Sequence, residues 1–192
     1  DTSLWNPQGT VTVSDGQAHL SSGADIIADS APHTFATLEM RVRLVNQDNY
    51  SWWGWEDGRT GAPNFIVFEE TQASFDGWIC KDSGDVRQIA LSAPPDDLTA
   101  WHTYTTEWWN DHAAWLIDGA EVASTGTDVP DAPMYANFYA RSVPMDIDWV
   151  RARLRAAQEP TVSLATPWLG YADEGQILSV PYDTGQFSAW KY

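Results

Sequence analysis

Apolar and polar residues alternate along much of the chain. The clearest case is T37-L-E-M-R-V-R-L, in which Leu38, Met40, Val42 and Leu44 share one parity and Glu39, Arg41 and Arg43 the other. A period of two sends successive side chains to opposite faces of a pleated strand, so this run predicts a strand with one buried face. Comparable runs recur at T10-V-T-V, Y50-S-W-W-G-W, F65-I-V-F, G77-W-I-C, V86-R-Q-I-A-L, H102-T-Y-T-T-E-W-W, A114-W-L-I, Y135-A-N-F-Y-A and D146-I-D-W-V-R-A-R-L. They are rich in β-branched and aromatic residues, the composition that suits a half-buried pleated surface. Turn chemistry lies between them at S14-D-G, D82-S-G-D and N110-D-H, and I117-D-G is a hairpin signal. No segment sustains a helical period. Roughly ten to twelve antiparallel strands at this spacing predict an all-β sandwich of two sheets, of jelly-roll type.

A chain of 192 residues can hold one full core but hardly a second complete domain. We assign the sandwich to residues 1–156. After Arg155 the composition shifts to A-A-Q-E-P-T-V-S-L-A-T-P-W. Residues 157–192 therefore read as a linker plus a closing strand at Q176-I-L-S-V-P-Y-D, or as the start of a truncated neighbouring module.

Charge narrows the partners. A formal net charge of −17, from 27 acidic and 10 basic residues, repels phosphate backbones and anionic lipid surfaces, so nucleic acid and membranes are poor partners. No apolar run approaches the roughly 20 residues of a membrane-spanning helix. Cys80 is the single cysteine, which rules out an internal disulfide and a cysteine-based zinc site, and it reads as a half-buried strand residue. His19, His33, His102 and His112 show no zinc or copper ligand spacing. Twelve tryptophans exceed what a core of this size needs. Their flat faces pack on sugar C–H faces while the indole N–H reaches a hydroxyl, so a few are candidates for a ligand surface.

Several pieces, taken in order, resemble a known family. W101-H-T-Y-T-T-E-W, A114-W-L-I-D-G-A-E-V, the run PMYANFYA from Pro133 to Ala140 and M145-D-I-D-W-V-R look like the second half of a concanavalin A-like sandwich of the laminarinase and lichenase group, glycoside hydrolase family 16. F35-A-T-L-E-M-R-V-R-L resembles the early strand of that family. The likeness spans about residues 5 to 155. It implies a concanavalin A-like jelly roll, a polysaccharide or oligosaccharide partner and a secreted or cell-surface setting. The sequence opens D1-T-S-L-W-N-P-Q-G, without a basic and apolar leader, so an export signal is expected to have been removed or left out.

The family's diagnostic strand reads E-I/L-D-x-x-E or E-I/L-D-x-E, with nucleophile, helper Asp and acid/base on one face. The matching stretch here is N64-F-I-V-F-E-E-T. With the last acid of the longer form set on Glu70, Phe65 and Val67 fall under the other two. Set on Glu69, it places Asn64 and Ile66 there. The shorter form gives Ile66 and Phe68, or Phe65 and Val67. No register restores the triad. Retaining hydrolysis needs two carboxyl groups about 5–5.5 Å apart, and Glu69 and Glu70, as strand neighbours, point to opposite faces. A substitute acid could come from Glu56 or Asp57 at the end of S51-W-W-G-W-E-D. The leading expectation is thus a non-catalytic carbohydrate-binding sandwich. Alternatives are a glycoside hydrolase of β-glucan type with relocated carboxylates drawn from Glu56, Asp57, Glu69 and Glu70, a lyase using Tyr139 and Arg141 though without a matching histidine motif, and a structural or adhesive module.

In Y135-A-N-F-Y-A-R141, alternation places Tyr135, Asn137, Tyr139 and Arg141 on one face. The resemblance implies that this strand crosses the concave sheet, so these side chains would line a groove and offer stacking faces, an amide, hydroxyls and a guanidinium. Trp52, Trp53 and Trp55 join them, although alternation lets only one parity of the three face the groove. D146-I-D-W-V matches the family's final strand, in which the acid before the aromatic–Val pair binds a structural calcium ion. Here that residue is Asp148. Calcium takes six to eight oxygens, most of them necessarily backbone carbonyls and waters. The alternative for Asp148 is an acid held by backbone N–H groups in a turn.

Overall fold

The structure, a computed structural model, describes residues 4–28, 32–47, 50–58 and 63–154. The strands are β1 (Trp5–Gln8), β2 (Val11–Ser14), β3 (Gln17–Leu20), β4 (Ala24–Ala28), β5 (Ala36–Leu44), β6 (Ser51–Glu56) and β7 (Phe65–Glu70). They continue with β8 (Phe75–Cys80), β9 (Arg87–Ile89), β10 (His102–Trp108), β11 (Ala113–Ile117), β12 (Ala120–Thr125), β13 (Tyr135–Ala140) and β14 (Met145–Leu154). Two seven-stranded antiparallel sheets result, ordered β1-β4-β13-β6-β7-β8-β9 and β12-β11-β10-β5-β14-β3-β2. There is no α-helix among the described residues. This is the jelly-roll sandwich that the alternation predicts, and it falls within the unit Asp1–Glu159. The candidate strand at Q176-I-L-S-V-P-Y-D and the segment 157–192 lie outside the described residues.

The expected turns form as their chemistry requires. Asp15 and Gly16 (φ 52° and 79°) close the β2–β3 hairpin, and Asp118 and Gly119 (φ 50° and 82°) close β11–β12. Positive φ at both central positions is the two-residue turn whose twist matches the flanking strands.

The core lies between the sheets. β5 contributes Leu38, Met40, Val42 and Leu44 from the second sheet, all buried. Opposite them the first sheet presents Trp53, Trp55, Ile66, Phe68 and Phe138, also buried. Phe68 stacks on Phe75 (centroids 5.8 Å, 14°) and meets Tyr104 edge-on at 5.1 Å. Buried indoles need acceptors. Trp108 Nε1 donates to the Pro130 carbonyl at 2.9 Å, and Trp115 Nε1 crosses to the Val67 carbonyl of the other sheet at 2.8 Å. Gly77 is required beneath that ring, because a Cβ there would lie 2.9 Å from Trp115. Cys80, expected half-buried, is buried on β8 with the outward parity of its partner Phe65 rather than in this core, and burial pushes its thiol pKa up.

On the outer face of the second sheet, cross-strand polar pairs tie the strands together. Ser14 Oγ meets His19 Nε2 at 2.9 Å, His19 Nδ1 meets Asp146 Oδ1 at 2.8 Å, and Arg43 Nε donates to Asp146 Oδ2 at 2.9 Å. The chain β2–β3–β14–β5 is thereby linked side by side. Trp101 lies flat beneath the Arg43 guanidinium, 4.8 Å from ring centroid to carbon.

Candidate functional site

The outer face of the first sheet gathers the aromatic, amide and acidic residues of interest. Its membership follows from register. Tyr135 pairs with Glu56, Asn137 with Gly54 and Tyr139 with Trp52 across β13–β6. Across β6–β7, Glu56 pairs with Phe65, Gly54 with Val67 and Trp52 with Glu69. On the flanks, Tyr139 pairs with Asp25 of β4, and Glu69 with Asp76 and Val67 with Trp78 of β8. Residues directly opposite in a ladder share a face, so Asp25, Trp52, Glu56, Phe65, Glu69, Asp76, Trp78, Tyr135, Asn137 and Tyr139 all project from this side.

Alternation within β6 corrects one expectation. Trp53 and Trp55 point inward and are 0% exposed, where Trp53 packs on Phe75 and Tyr104 and Trp55 on Trp108. They are core, not ligand surface. Trp52, half-buried on the outer face, meets Tyr139 edge-on with ring centroids 4.5 Å apart. Tyr135, Asn137 and Tyr139 stand on the expected side, and Arg141, just beyond β13, lies over the Tyr50 ring at 5.1 Å.

Gly54 sets the floor of this face. A Cβ there would fall 2.3 Å from the Ile66 carbonyl oxygen, so only glycine allows β6 to approach β7 so closely.

Among the acids expected as relocated catalytic groups, the strand parities make a choice. Glu69 projects outward. Glu70 shares the inward parity of Ile66 and Phe68 and is 4% exposed. Asp57 lies just past β6, and its Oδ2 accepts from Asn64 Nδ2 at 2.7 Å. The outward positions of β7 thus read Phe65, Val67 and Glu69, a single acid where the family's strand carries three.

Glu56 is the most perturbed group on this face. Burial, with the added repulsion of Asp25, Asp57 and Glu69, pushes its pKa from 4.5 to about 8, and the nearby Trp52 indole draws it back only in part. The carboxyl is therefore protonated at neutral pH. Burial also raises Glu69, with Arg141 opposing and Asp76 reinforcing the rise. Asn137 Nδ2 donates to Asp25 Oδ1 at 3.2 Å, and Gln88 Nε2 donates to Asp76 Oδ2 at 2.6 Å. Trp78 Nε1, Glu56 Oε2 and Asn137 Oδ1 are buried on this face without a hydrogen-bond partner, as are the core indole nitrogens of Trp53 and Trp55, while Trp52 Nε1 is turned to the Glu56 carboxyl. Burying such atoms unpaired costs about 1–3 kcal/mol each.

Asp25, Asp76 and Trp78 were not singled out by sequence. Asp25 stands in A24-D-I-I-A, an apolar run too short and too uniformly buried to alternate. Trp78 could have been placed by parity, since Gly77 and Ile79 face the core.

Asp148 lies on the other sheet. It is the extra residue of a bulge in β14, where Ile147 pairs with Val42 and Trp149 with the adjacent Arg41. Its Oδ2 accepts from Arg41 Nη1 at 3.1 Å. Among the described residues no group of three His, Cys, Asp or Glu could share a metal ion. A calcium ion at Asp148 would have to displace the guanidinium and draw its other oxygens from backbone and water.

No family model matches the chain. No curated protein matches it either. Solved structures do match. The chain is similar to a β-glucanase from Bacillus licheniformis (14% identity, 81% of this chain and 94% of that one, TM-score 0.63). It is also similar to CBM66, a carbohydrate-binding module from Bacillus subtilis (15% identity, 78% and 95%, TM-score 0.60). A third is the Crh5 transglycosylase in complex with NAG (17% identity, 81% and 81%, TM-score 0.62). At these identities the shared property is the fold, a concanavalin A-like jelly roll common to enzymes and binding modules alike.

Proposed function

We propose that the protein is a carbohydrate-binding sandwich that takes a polysaccharide or oligosaccharide across the outer face of its first sheet. The observation that carries this reading is the combination on one face of half-buried rings, Trp52 and Tyr139, with three unpartnered buried polar atoms, Trp78 Nε1, Glu56 Oε2 and Asn137 Oδ1. A sugar presents both complements, an apolar C–H face for the rings and hydroxyls that donate to Glu56 and Asn137 and accept from the Trp78 indole. The fold neighbours, which include a carbohydrate-binding module, support the choice of ligand class. A secreted or cell-surface setting is part of the same proposal.

Binding without family-type hydrolysis is the favoured form, because Phe65 and Val67 occupy outward positions of β7 where that chemistry needs acids. One observation supports a second reading. Glu56 is protonated at neutral pH, and Glu69 stands on the same face one strand away, so the face holds two carboxyls of the chemical type a relocated acid and nucleophile require. Screening a glycan array with tryptophan fluorescence as the binding signal tests the first reading, and reducing-sugar release from β-glucans tests the second. Binding without release is expected. Release abolished by Glu56→Gln or Glu69→Gln would establish the enzyme instead, and an empty array would return the protein to a structural or adhesive role.

We also propose that calcium, if this chain takes it up, binds at Asp148 in place of Arg41, away from the glycan face.

A further inference from the structure

We propose that the outer face of the first sheet selects glycans bearing free ammonium groups, polymers of unacetylated amino sugars, over neutral and uronate-bearing ones. This rests on the carbohydrate reading above and names its ligand class.

Charge gives the first argument. Asp25 on β4, Glu56 on β6, Glu69 on β7 and Asp76 on β8 share the outward parity, with Asp57 just past β6. The groups facing Glu56 across these strands are Asp25, Asp57, Glu69, Asp76, Tyr135, Tyr139 and Arg141, and only Arg141 is cationic. A uronate polymer would be repelled along the whole face.

Spacing gives the second. From β4 to β8 there are four strand intervals of about 4.8 Å, roughly 19 Å in all. Acids strung over that width meet the successive units of a linear polymer, whereas no three of them are grouped tightly enough to share one metal ion among the described residues.

The third argument concerns hydrogen-bond polarity at the centre. Asn137 must turn its amide nitrogen to the Asp25 carboxylate, which leaves its Oδ1 without a partner. That atom and Glu56 Oε2 belong to residues only 1% and 4% exposed, and both can accept. An ammonium group has three donors and no acceptor. As a donor it suits either oxygen, and it also offsets the repulsion among the acids, which a hydroxyl cannot do. Glu56, protonated in the free protein, would give up its proton to form the ion pair, so binding at neutral pH is coupled to proton release.

The test is titration calorimetry at pH 6.5 on the intact chain, with four probes: a glucosamine hexamer, its N-acetylated counterpart, a β-1,3-glucose hexamer and hexalysine. The glucosamine hexamer is expected to bind about tenfold more tightly than either neutral sugar, the effect of one partly solvated charge pair. Runs in two buffers of different ionisation enthalpy should show the wild type releasing close to one proton more than Glu56→Gln, whatever protons the sugar amines themselves take up. Glu69→Gln should weaken the glucosamine hexamer while leaving hexalysine unaffected. Neutral sugars binding as tightly as the amine overturn this inference but leave the carbohydrate reading intact. Hexalysine binding as tightly as the amino sugar, indifferent to both substitutions, reduces the effect to general attraction by an acidic protein and also overturns it. No binding of any sugar removes both readings together.

Discussion

Glu56→Gln should stabilise the protein, and increasingly so as the pH rises. Glu56 titrates at about 8 in the folded chain against an ordinary 4.5, so between these values the native state holds a proton that the unfolded state has released. Stability then falls with rising pH, by about 1.4 kcal/mol per unit for this group, until the folded pKa is passed. At pH 7 the accumulated penalty is on the order of 3 kcal/mol. Gln keeps the shape and the neutrality and removes the titration. Urea unfolding of both proteins from pH 4 to 9 measures the difference. Near pH 4 the two curves should nearly coincide; by pH 8 the variant should lead by a few kcal/mol, and above that the gap should level off. A gap independent of pH, or a Glu56 carboxyl that titrates near 4.5 by NMR, would refute the reasoning and with it the protonated acid on the outer face of the first sheet.

Neighbouring indoles should behave oppositely. Trp52→Ala should leave melting nearly unchanged while weakening glycan binding by about 1–3 kcal/mol, whereas Trp53→Ala should cost about 3–5 kcal/mol of stability in urea unfolding because it opens the core. Asp146→Ala should destabilise by about 2 kcal/mol, since it strands both His19 and Arg43; melting of the single variant and of its double with Arg43→Ala separates lost pairing from lost packing. If calcium displaces Arg41 from Asp148, melting in excess calcium should exceed melting in chelator by an increment that Asp148→Ala abolishes and glycan binding does not share; superimposed curves would remove the ion.

The parts of this fold that sequence revealed are those where burial is one-sided. In β5 the alternation of Leu38, Met40, Val42 and Leu44 with Glu39, Arg41 and Arg43 is visible because one face meets the core and the other solvent. β4 left no such trace. A24-D-I-I-A is buried on both faces except at its end, so nothing alternates, and Asp25 went unnoticed with it. β6 is aromatic on both parities, and pattern alone could not tell whether Trp52 or the pair Trp53 and Trp55 faced the core. Tertiary packing decided it, through the rings of Phe75, Tyr104 and Trp108. β13 was readable because small and apolar Ala136, Phe138 and Ala140 separate its polar set. The bulge at Asp148 resets the parity of β14, and a backbone irregularity of that kind has no hydrophobic signature. The electrostatics were least legible, because the pKa of Glu56 depends first on its burial and then on acids from β4 and β7, and only the assembled sheet creates both.

The most direct test of the glycan face is a two-dimensional NMR titration of the indole N–H signals with an oligosaccharide found to bind. Trp52 and Trp78, whose indoles belong to the outer face, should shift in proportion to occupancy. Trp108 and Trp115, bonded to backbone carbonyls in the core, should stay in place. Saturable shifts confined to Trp108, Trp115 or the Trp101 face of the other sheet, with Trp52 and Trp78 unmoved, would contradict the account.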